Sequence, residues 1–478
     1  MNHKKTKIIC TLGPASESVE VIEKLAKAGM DVARMNFSHG EHESHRKVFE
    51  NIRAVEKKLD RPIGILADLQ GPKIRTTGLK NGPFLIKAKE EIWINNNPKH
   101  TGDKNELGCT YPGIIHDLKI NEKVLIDDGK LAFRVLKKQK KGKIERALLQ
   151  TISGGVIKEH KGINLPGIKI SLPALSKKDI KDLKFAKLLG VDYVALSFVR
   201  SADDIKKVRG YIKVNKDTTY IGIIAKIERP EALDHIEAII EASDGIMIAR
   251  GDLGVEMKAE KIPIIQKKLI TQTNLQGKIV ITATHMMESM IENPTPTRAE
   301  VTDIANAVLD STDAVMLSGE TAMGKYPTQA VTIMKKIILE AEDLFTPLYV
   351  KPGDIHKKKD DLALGTAVVN IADSIGARVI INFTRSGYSA RLACQFRPNT
   401  QIICFTPFQL TARKMGLLRG VMAHSIPQSK TFAEMLSHAN DILKKHYGLK
   451  KNDKTIVLAA SMGSAAYSTD MIRIYTIK

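Results

Sequence analysis

Six apolar runs in this chain stop abruptly at residues that could do chemistry. Residues 244 to 256 read DGIMIARGDLGVE, in which a short apolar run delivers Arg250, Gly251 and Asp252 to its C-terminal end. The run 31–35 leads through Arg34 into Asn36, Ser38 and His39, and the run 63–68 ends in Asp68, with Lys73 and Arg75 close behind. Three more runs end in Lys226-Ile227-Glu228-Arg229, in Thr284-His285 and in Ser318-Gly319-Glu320. Lys226 and Glu228 are two apart on one strand and so share a face. Two carboxylates on successive strands, Glu228 and Asp252, with few other ligands, suit Mg²⁺ or Mn²⁺ completed by substrate oxygens and water. Gly251 lets a ligand approach the backbone. Arg34, Arg75 and Lys226 are cations of the kind that grip phosphates.

These groups need a scaffold that brings six strand ends to one place. Eight strand-like runs (7–10, 31–35, 63–68, 193–198, 220–226, 245–250, 278–284 and 314–318) alternate with helical patterns such as VEVIEKLAKAGM and SADDIKKVRGYI. Strand–helix alternation implies parallel strands joined by crossovers. Eight such units predict a (β/α)8 TIM barrel, whose chemistry gathers at the C-terminal strand ends. An open doubly wound sheet is the alternative.

Two further regions interrupt this texture. Residues 73–170 show short alternating stretches (EEIWINN, KVLIDDGKLAFRVL, ERALLQTI) and an Asp128-Gly129 turn. They predict an inserted small β-barrel lid domain on the active-site end, with the barrel proper at 1–72 and 171–344. A polar stretch near residue 345 opens a C-terminal α/β domain, 345–478, with strand-like runs RVIINFT, QIICFT, TIVLAAS and RIYTI.

Bulk composition excludes several classes. Hydrophobic content of 43% and charged content of 27% are globular rather than disordered values. No run of about twenty apolar residues predicts a membrane span. The start, MNHKKTKIICTLG, makes a poor signal peptide, and its Lys7 to Cys10 reads as a first strand. Four scattered cysteines read as free thiols of a reducing compartment. A net charge of +21 raises nucleic-acid binding. The basic residues are spread out, with short clusters at 137–143 and 357–359, and no nucleic-acid module is recognisable. Attraction of phosphorylated substrates is the better reading. GETAMGK has P-loop spacing but continues with Tyr326, so the hydroxyl ligand for Mg²⁺ is missing. His39, His42 and His45 are spaced by three. His42 and His45 are expected on a solvated helical face rather than in a metal cluster.

From residue 6 to about 342 the motifs TKIICTLGPAS, ARMNFSHG, DLQGPKIR, HKGINLPG, DYVALSFVR, AKIERPEAL, MIARGDLGVE and ITATHMMESMIENPTPTRAEVTDIANAVLDSTDAVMLSGETAMGKYP resemble, in order, those of the pyruvate kinase family. The resemblance implies a cytoplasmic enzyme of the last step of glycolysis, the transfer of the phosphoryl group of phosphoenolpyruvate to ADP, giving pyruvate and ATP. It implies Glu228 and Asp252 as ligands of Mg²⁺ or Mn²⁺, and Lys226 as the group that stabilises charge on the transferring phosphoryl. Gly251, Asp252 and Thr284 would seat the substrate, with Thr284 aiding protonation of C3 and Ser318 and Glu320 forming a proton relay. Arg34 and Arg75 would clamp phosphate oxygens, while Asn36, His39, Arg75 and Lys161 would meet the nucleotide. The resemblance also implies a homotetramer. A metal-dependent pyruvate or oxaloacetate lyase or aldolase on a related barrel is the alternative. It would share the carboxylates but would need neither the lid nor Lys161.

The chain departs from the family's usual pattern in three places. In K⁺-requiring members the ion sits among residues matching Asn36, Ser38 and Asp68 and a Thr that is Leu69 here. The usual Glu is Lys73, and the usual Gln is His285. A fixed ammonium at Lys73 could take over the ion's charge, so the resemblance implies independence of K⁺ and a vestigial site. In the C-terminal domain TRSGYS resembles the family's effector loop. Thr384, Ser386, Gly387 and Ser389 would form an anion nest for a phosphorylated effector such as ribose 5-phosphate or AMP. Tyr388 stands where some fructose-bisphosphate-responsive relatives carry a different residue.

Overall fold

A computed structural model of the chain describes residues 3–141, 144–168, 170–212, 220–345, 359–460 and 469–478. Most of the basic cluster at 357–359, the end of the cluster at 137–143 and most of the polar stretch after 345 lie outside the described residues. Eight parallel strands close into a barrel: β1 (Lys7–Leu12), β2 (Val32–Asn36), β3 (Gly64–Asp68), β4 (Tyr193–Leu196), β5 (Gly222–Ile227), β6 (Gly245–Ala249), β7 (Ile279–Ala283) and β8 (Ala314–Leu317). Each strand pairs with its sequence neighbours, and β8 returns to β1. Alternation within β1 explains the two cores. Ile9 points into the barrel with Leu66, Ile224, Met247 and Ile281, while Ile8 and Cys10 pack outward against the helical layer.

The floor of the barrel carries a fourfold repeat. Asp31, Asp192, Asp244 and Asp313 directly precede β2, β4, β6 and β8. Each carboxylate accepts the amide of a residue on the preceding strand: Ile8 (2.8 Å), Ile65 (2.8 Å), Ile223 (2.8 Å) and Val280 (2.9 Å). Each Asp amide bonds back to the carbonyl of that same residue. Each carboxylate also faces a cation: Lys4 for Asp31, Arg53 at 3.1 Å for Asp192, Arg209 at 3.2 Å for Asp244 and Arg397 for Asp313.

The inserted region rises between β3 and β4. Where a small β-barrel is expected, its described strands form a six-stranded, mostly antiparallel sheet and a separate two-stranded pair, Phe84–Ile86 with Gly155–Ile157. The hairpin from Lys123–Ile126 to Leu131–Lys141 turns at Asp127, Asp128 and Gly129, all with positive φ. The insertion is moored to the barrel mouth by Asn164 on Glu256 (3.2 Å) and by Arg200 on the carbonyls of Ile170 (2.6 Å) and Leu172 (2.7 Å).

The C-terminal domain is a five-stranded sheet flanked by helices. Its strands are β9 (Val379–Phe383), β10 (Gln401–Thr406), β11 (Val421–Ser425), β12 (Lys454–Ala459) and β13 (Met471–Thr476), in the order β11-β10-β9-β12-β13, with only the last pair antiparallel. β11 is absent from the expected runs, because VMAHS ends in polar residues. This domain sits against the barrel floor. Arg397 pairs with Asp313, Arg413 forks onto Glu56, and the Tyr193 hydroxyl donates to the Lys414 carbonyl at 3.0 Å.

Candidate active site

Lys226, on β5, is the centre of the barrel mouth. Its ammonium lies 2.8 Å from Glu228 Oε1, donates to Ser197 Oγ at 2.7 Å, and meets Asp68 Oδ1 at 3.2 Å. Burial would strip the proton from so enclosed an amine, but Asp68 and Glu228 outweigh it, and the pKa stands above the ordinary lysine value. The Ser197 hydroxyl donates in turn to the Leu69 carbonyl at 2.7 Å, so the ammonium is fixed from a third side.

Arg34, on β2, is fixed by the same carboxylate. Its Nε and Nη2 both meet Asp68 Oδ2 at 2.7 Å, and Nη1 donates to Thr11 Oγ1 at 2.9 Å. Burial pushes the Asp68 pKa up, but Lys226 and Arg34 more than reverse this, and it stays ionised below the usual range. Asp68 therefore aims two cations toward the opening.

Glu228 is nearly closed off from solvent. Its Oε2 accepts the Phe198 amide at 2.7 Å. Burial raises its pKa, Lys226 opposes the rise, and the nearby charge of Asp252 adds to it. A divalent cation would relieve the repulsion between two neighbouring carboxylates, and both are hard oxygen donors. The donor set thus fits Mg²⁺ or Mn²⁺. Asp252 is not on a strand, as the apolar run suggests; β6 ends at Ala249 and Arg250 begins the helix Arg250–Glu256, which puts Asp252 in its first turn.

Beside it, the Gly251 amide donates to Thr284 Oγ1 at 2.8 Å. A Cβ on Gly251 would stand 3.2 Å from the His285 ring and 3.4 Å from Thr284 Oγ1, so a side chain here would crowd the loop. Glu320 is occupied differently from the relay expected. Its carboxylate accepts the amides of Ser318 (2.7 Å) and Met287 (3.0 Å), tying together the loops after β8 and β7. Burial raises its pKa against those bonds.

On the side facing the insertion, Arg34, Lys73 and Arg75 are close enough to His39 to depress its pKa, after the larger effect of burial. Arg75 donates to the His160 carbonyl at 3.0 Å and pairs backbone to backbone with Gly162. Lys161, next in chain to that partner, is engaged by Asp127 at 3.0 Å in the hairpin turn. Asn36 Oδ1 accepts the Ser38 amide at 3.1 Å, and Leu69 is buried among the residues between strands and helices. His42 and His45 lie on a half-exposed helical face, each with one side of its ring covered. His42 stacks on Phe185 and bonds Asp182 at 2.8 Å, and His45 stacks on Phe37 and bonds the His39 carbonyl at 2.9 Å. No group of three or more metal-ligating side chains occurs among the described residues, so these histidines form none.

In the C-terminal domain, Thr384 Oγ1 accepts the Gly387 amide (2.9 Å) and Ser386 Oγ the Tyr388 amide (3.4 Å). Gly387 has φ 87° and opens the helix Tyr388–Gln395. Ser389 is buried and donates to Asn382 Oδ1 at 3.2 Å, away from any open nest.

Sequence reasoning passed over Thr11, Ser197 and the Phe198 amide. Ser197 carried a usable signal, a hydroxyl immediately after the apolar run YVAL. Thr11 carried none, since it lies inside a strand.

Comparison with known proteins fits this geometry. Residues 3–331 match the family model "Pyruvate kinase, barrel domain", and residues 363–475 match "Pyruvate kinase, alpha/beta domain". The chain is 40% identical over 477 residues to a pyruvate kinase of Geobacillus stearothermophilus, covering 99% of this chain and 80% of the relative. It is 39% identical over 479 residues, with the same coverage, to one of Bacillus licheniformis. A crystal structure of a pyruvate kinase from Cryptosporidium parvum superposes with a TM-score of 0.90 at 36% identity, covering 99% of this chain and 96% of that one. No helix among the described residues is long and apolar enough to cross a membrane. A closed barrel with a cation-rich, carboxylate-bearing mouth, matched along nearly its whole length, places the chain in the pyruvate kinase family: it is a phosphotransferase that moves a phosphoryl group from phosphoenolpyruvate to ADP.

Proposed function

We propose that Lys226 carries the chemical step. The supporting observation is the ammonium's three-sided cage of Asp68, Glu228 and Ser197, which holds a full positive charge in place before substrate arrives. Phosphoryl transfer asks for positioned charge rather than covalent work from the protein. A preorganised cation needs no reorganisation as charge develops on the phosphoryl and enolate oxygens. Arg34 clamps phosphate oxygens, the Gly251 amide and Thr284 seat the carboxylate, and Thr284 orients the proton donor for C3. Glu228 and Asp252 would hold Mg²⁺ or Mn²⁺, which supplies charge neutralisation on substrate oxygens. Asn36, His39, Arg75 and Lys161 meet the nucleotide, for which Lys161 must leave Asp127. Glu320, bound to the Ser318 and Met287 amides, joins the loops after β8 and β7, and with Ser318 it serves the proton relay. The test is a steady-state assay with phosphoenolpyruvate, ADP and Mg²⁺. Lys226→Met should lose kcat at unchanged fold, and near-normal kcat would refute the role.

The same reading extends to regulation. Leu69 removes a hydroxyl from the group formed with Asn36, Ser38 and Asp68, and Asp68 is already committed to Arg34 and Lys226. Lys73 supplies fixed positive charge, so the enzyme works without K⁺. A phosphorylated effector binds at Thr384, Ser386 and Gly387, with Ser389 supporting the loop from behind. The active form is a cytoplasmic homotetramer. Phosphate-ester titration of wild type and Ser386→Ala, with sedimentation analysis, tests these parts.

A further inference from the structure

Thr284 and His285 occupy the left-handed region in succession, with φ of 67° and 55°. For a β-branched residue that conformation is an outlier and is strained. It persists only where the surroundings impose it. The Gly251 amide holds the Thr284 hydroxyl, whose own proton rests on the Ala283 carbonyl at 2.6 Å. The backbone on both sides of the strained bond is held by one side chain. Arg250 Nη2 donates to the Thr284 carbonyl at 2.8 Å, and Nε donates to the Ala283 carbonyl at 3.2 Å.

Arg250 is itself braced from the helical layer. Its Nη1 meets Asp303 Oδ1, on the helix Arg298–Leu309, at 2.6 Å, and Gln266 Oε1, on the helix Ile262–Leu275, at 3.3 Å. A planar guanidinium offers five donors in a fixed fork, which a lysine cannot imitate. Here the fork spans two consecutive carbonyls and a carboxylate. Of the cations at the strand ends, Arg250 thus turns its charge away from the opening and into the frame of the loop.

We propose that Arg250, braced by Asp303, is a positioning residue that sets the Thr284 hydroxyl for protonation of the enolate. This rests on the role given to Thr284 above. In that step the C=C electron pair takes a proton at C3, the enolate oxygen becomes the carbonyl of pyruvate, and the donor recovers its proton from solvent. A loop that relaxes out of the left-handed region would carry the hydroxyl away from C3, and small displacements of reacting groups cost up to about a hundredfold in rate.

The test is a double-mutant cycle between Asp303 and Thr284, since Asp303 touches neither substrate nor Thr284. Asp303→Ala and Thr284→Ala should each lower kcat about tenfold or more, with KM for phosphoenolpyruvate and ADP within about twofold. The double variant should be no slower than Thr284→Ala alone. Exchange of pyruvate methyl protons with deuterated water, followed by NMR, should slow in the same proportion. Asp303→Asn and Arg250→Lys, with melting curves, replace Asp303→Ala if that variant fails to fold. Losses that multiply in the double variant, or a wild-type rate in every brace variant, would overturn the brace while leaving Thr284 its role. A wild-type rate in Thr284→Ala would overturn the role of Thr284 and the brace with it.

Discussion

The two ends of the barrel handle buried charge in opposite ways. At the floor the aspartate quartet repeats one plan at every second strand: each carboxylate takes a backbone amide and faces a cation, and Asp31 has Lys7 at 3.8 Å as a second. At the mouth the same kinds of group are held but not used up. Asp68 and Glu228 fix Lys226 and Arg34, yet two carboxylates are left close enough for Asp252 to raise the pKa of Glu228. The floor is an arrangement that gains nothing from a ligand. The mouth is one that does, and it carries the strained Thr284 as well. Local structure at the floor therefore speaks to stability, and at the mouth to function.

The sharpest way to test this contrast is to neutralise one cation at the mouth. Lys226→Met should lower kcat by at least about 10³-fold, with little change in KM. Its melting temperature should fall as well, because Asp68 and Glu228 lose the cation between them; what marks the mouth is the loss of kcat on the protein that remains folded. A kcat near the wild-type value on the folded protein would place Lys226 with the floor residues.

The converse experiment removes a carboxylate from the floor. Asp313→Ala leaves Arg397 buried without its partner and should cost about 3 kcal/mol or more in urea unfolding. Its kcat, measured on the folded fraction, should stay within about twofold of wild type. A selective loss of kcat would show that the two ends are coupled through the strands.

Lys7 gives the floor a pH signature. Burial lowers its pKa to about 8 from 10.5, against the opposing pull of Asp31. The folded state thus binds fewer protons than the unfolded chain between those values, and the penalty for holding the charged amine is full below pH 8. Stability should rise by about 2 kcal/mol between pH 8 and pH 10 relative to Lys7→Met. Parallel urea curves for the two proteins across that range would remove Lys7 from the account.

The smallest expected effect concerns Lys73, at the rim of the mouth. Lys73→Glu should lower activity several-fold and make it partly recoverable by K⁺ at constant ionic strength, with full recovery after Leu69→Thr. Several-fold K⁺ activation of the wild type would show that Lys73 does not replace the ion.

The mouth was legible in the sequence because its side chains sit within a few residues of strand ends. Lys226, Glu228, Arg34 and Asp68 converge as the eightfold strand–helix pattern implies. Partners from distant elements were not legible. Nothing local to ARGD says that Arg250 turns back onto β7, because Asp303 and Gln266 come from two different helices. The floor escaped for the same reason. Asp31, Asp192, Asp244 and Asp313 each stand before an apolar run, but Arg397 reaches Asp313 from another domain. The stacking of His42 on Phe185 and of His45 on Phe37 was not legible either, because helical spacing shows only that the two histidines share a face. The helix at Arg250 was read as strand because a boundary of one or two residues leaves no mark in an apolar run.

The insertion between β3 and β4 also bears on how the chain assembles. β3 ends at Asp68 and its neighbour β4 begins at Tyr193, with the whole mixed-sheet region between them. Closing a flexible loop costs only about 0.6 kcal/mol for each doubling of its length, so the excursion is cheap at equilibrium. It is expensive in time, because non-local pairings must pay that entropy before any contact rewards them. An insertion that folds first on its own core shortens the effective loop to its two mooring points. The β3–β4 seam, and the β8–β1 seam that joins Ala314 to Lys7, are then the last edges to zip. Until a seam closes, its two strands have unpaired edges, the kind of surface through which partly folded chains aggregate.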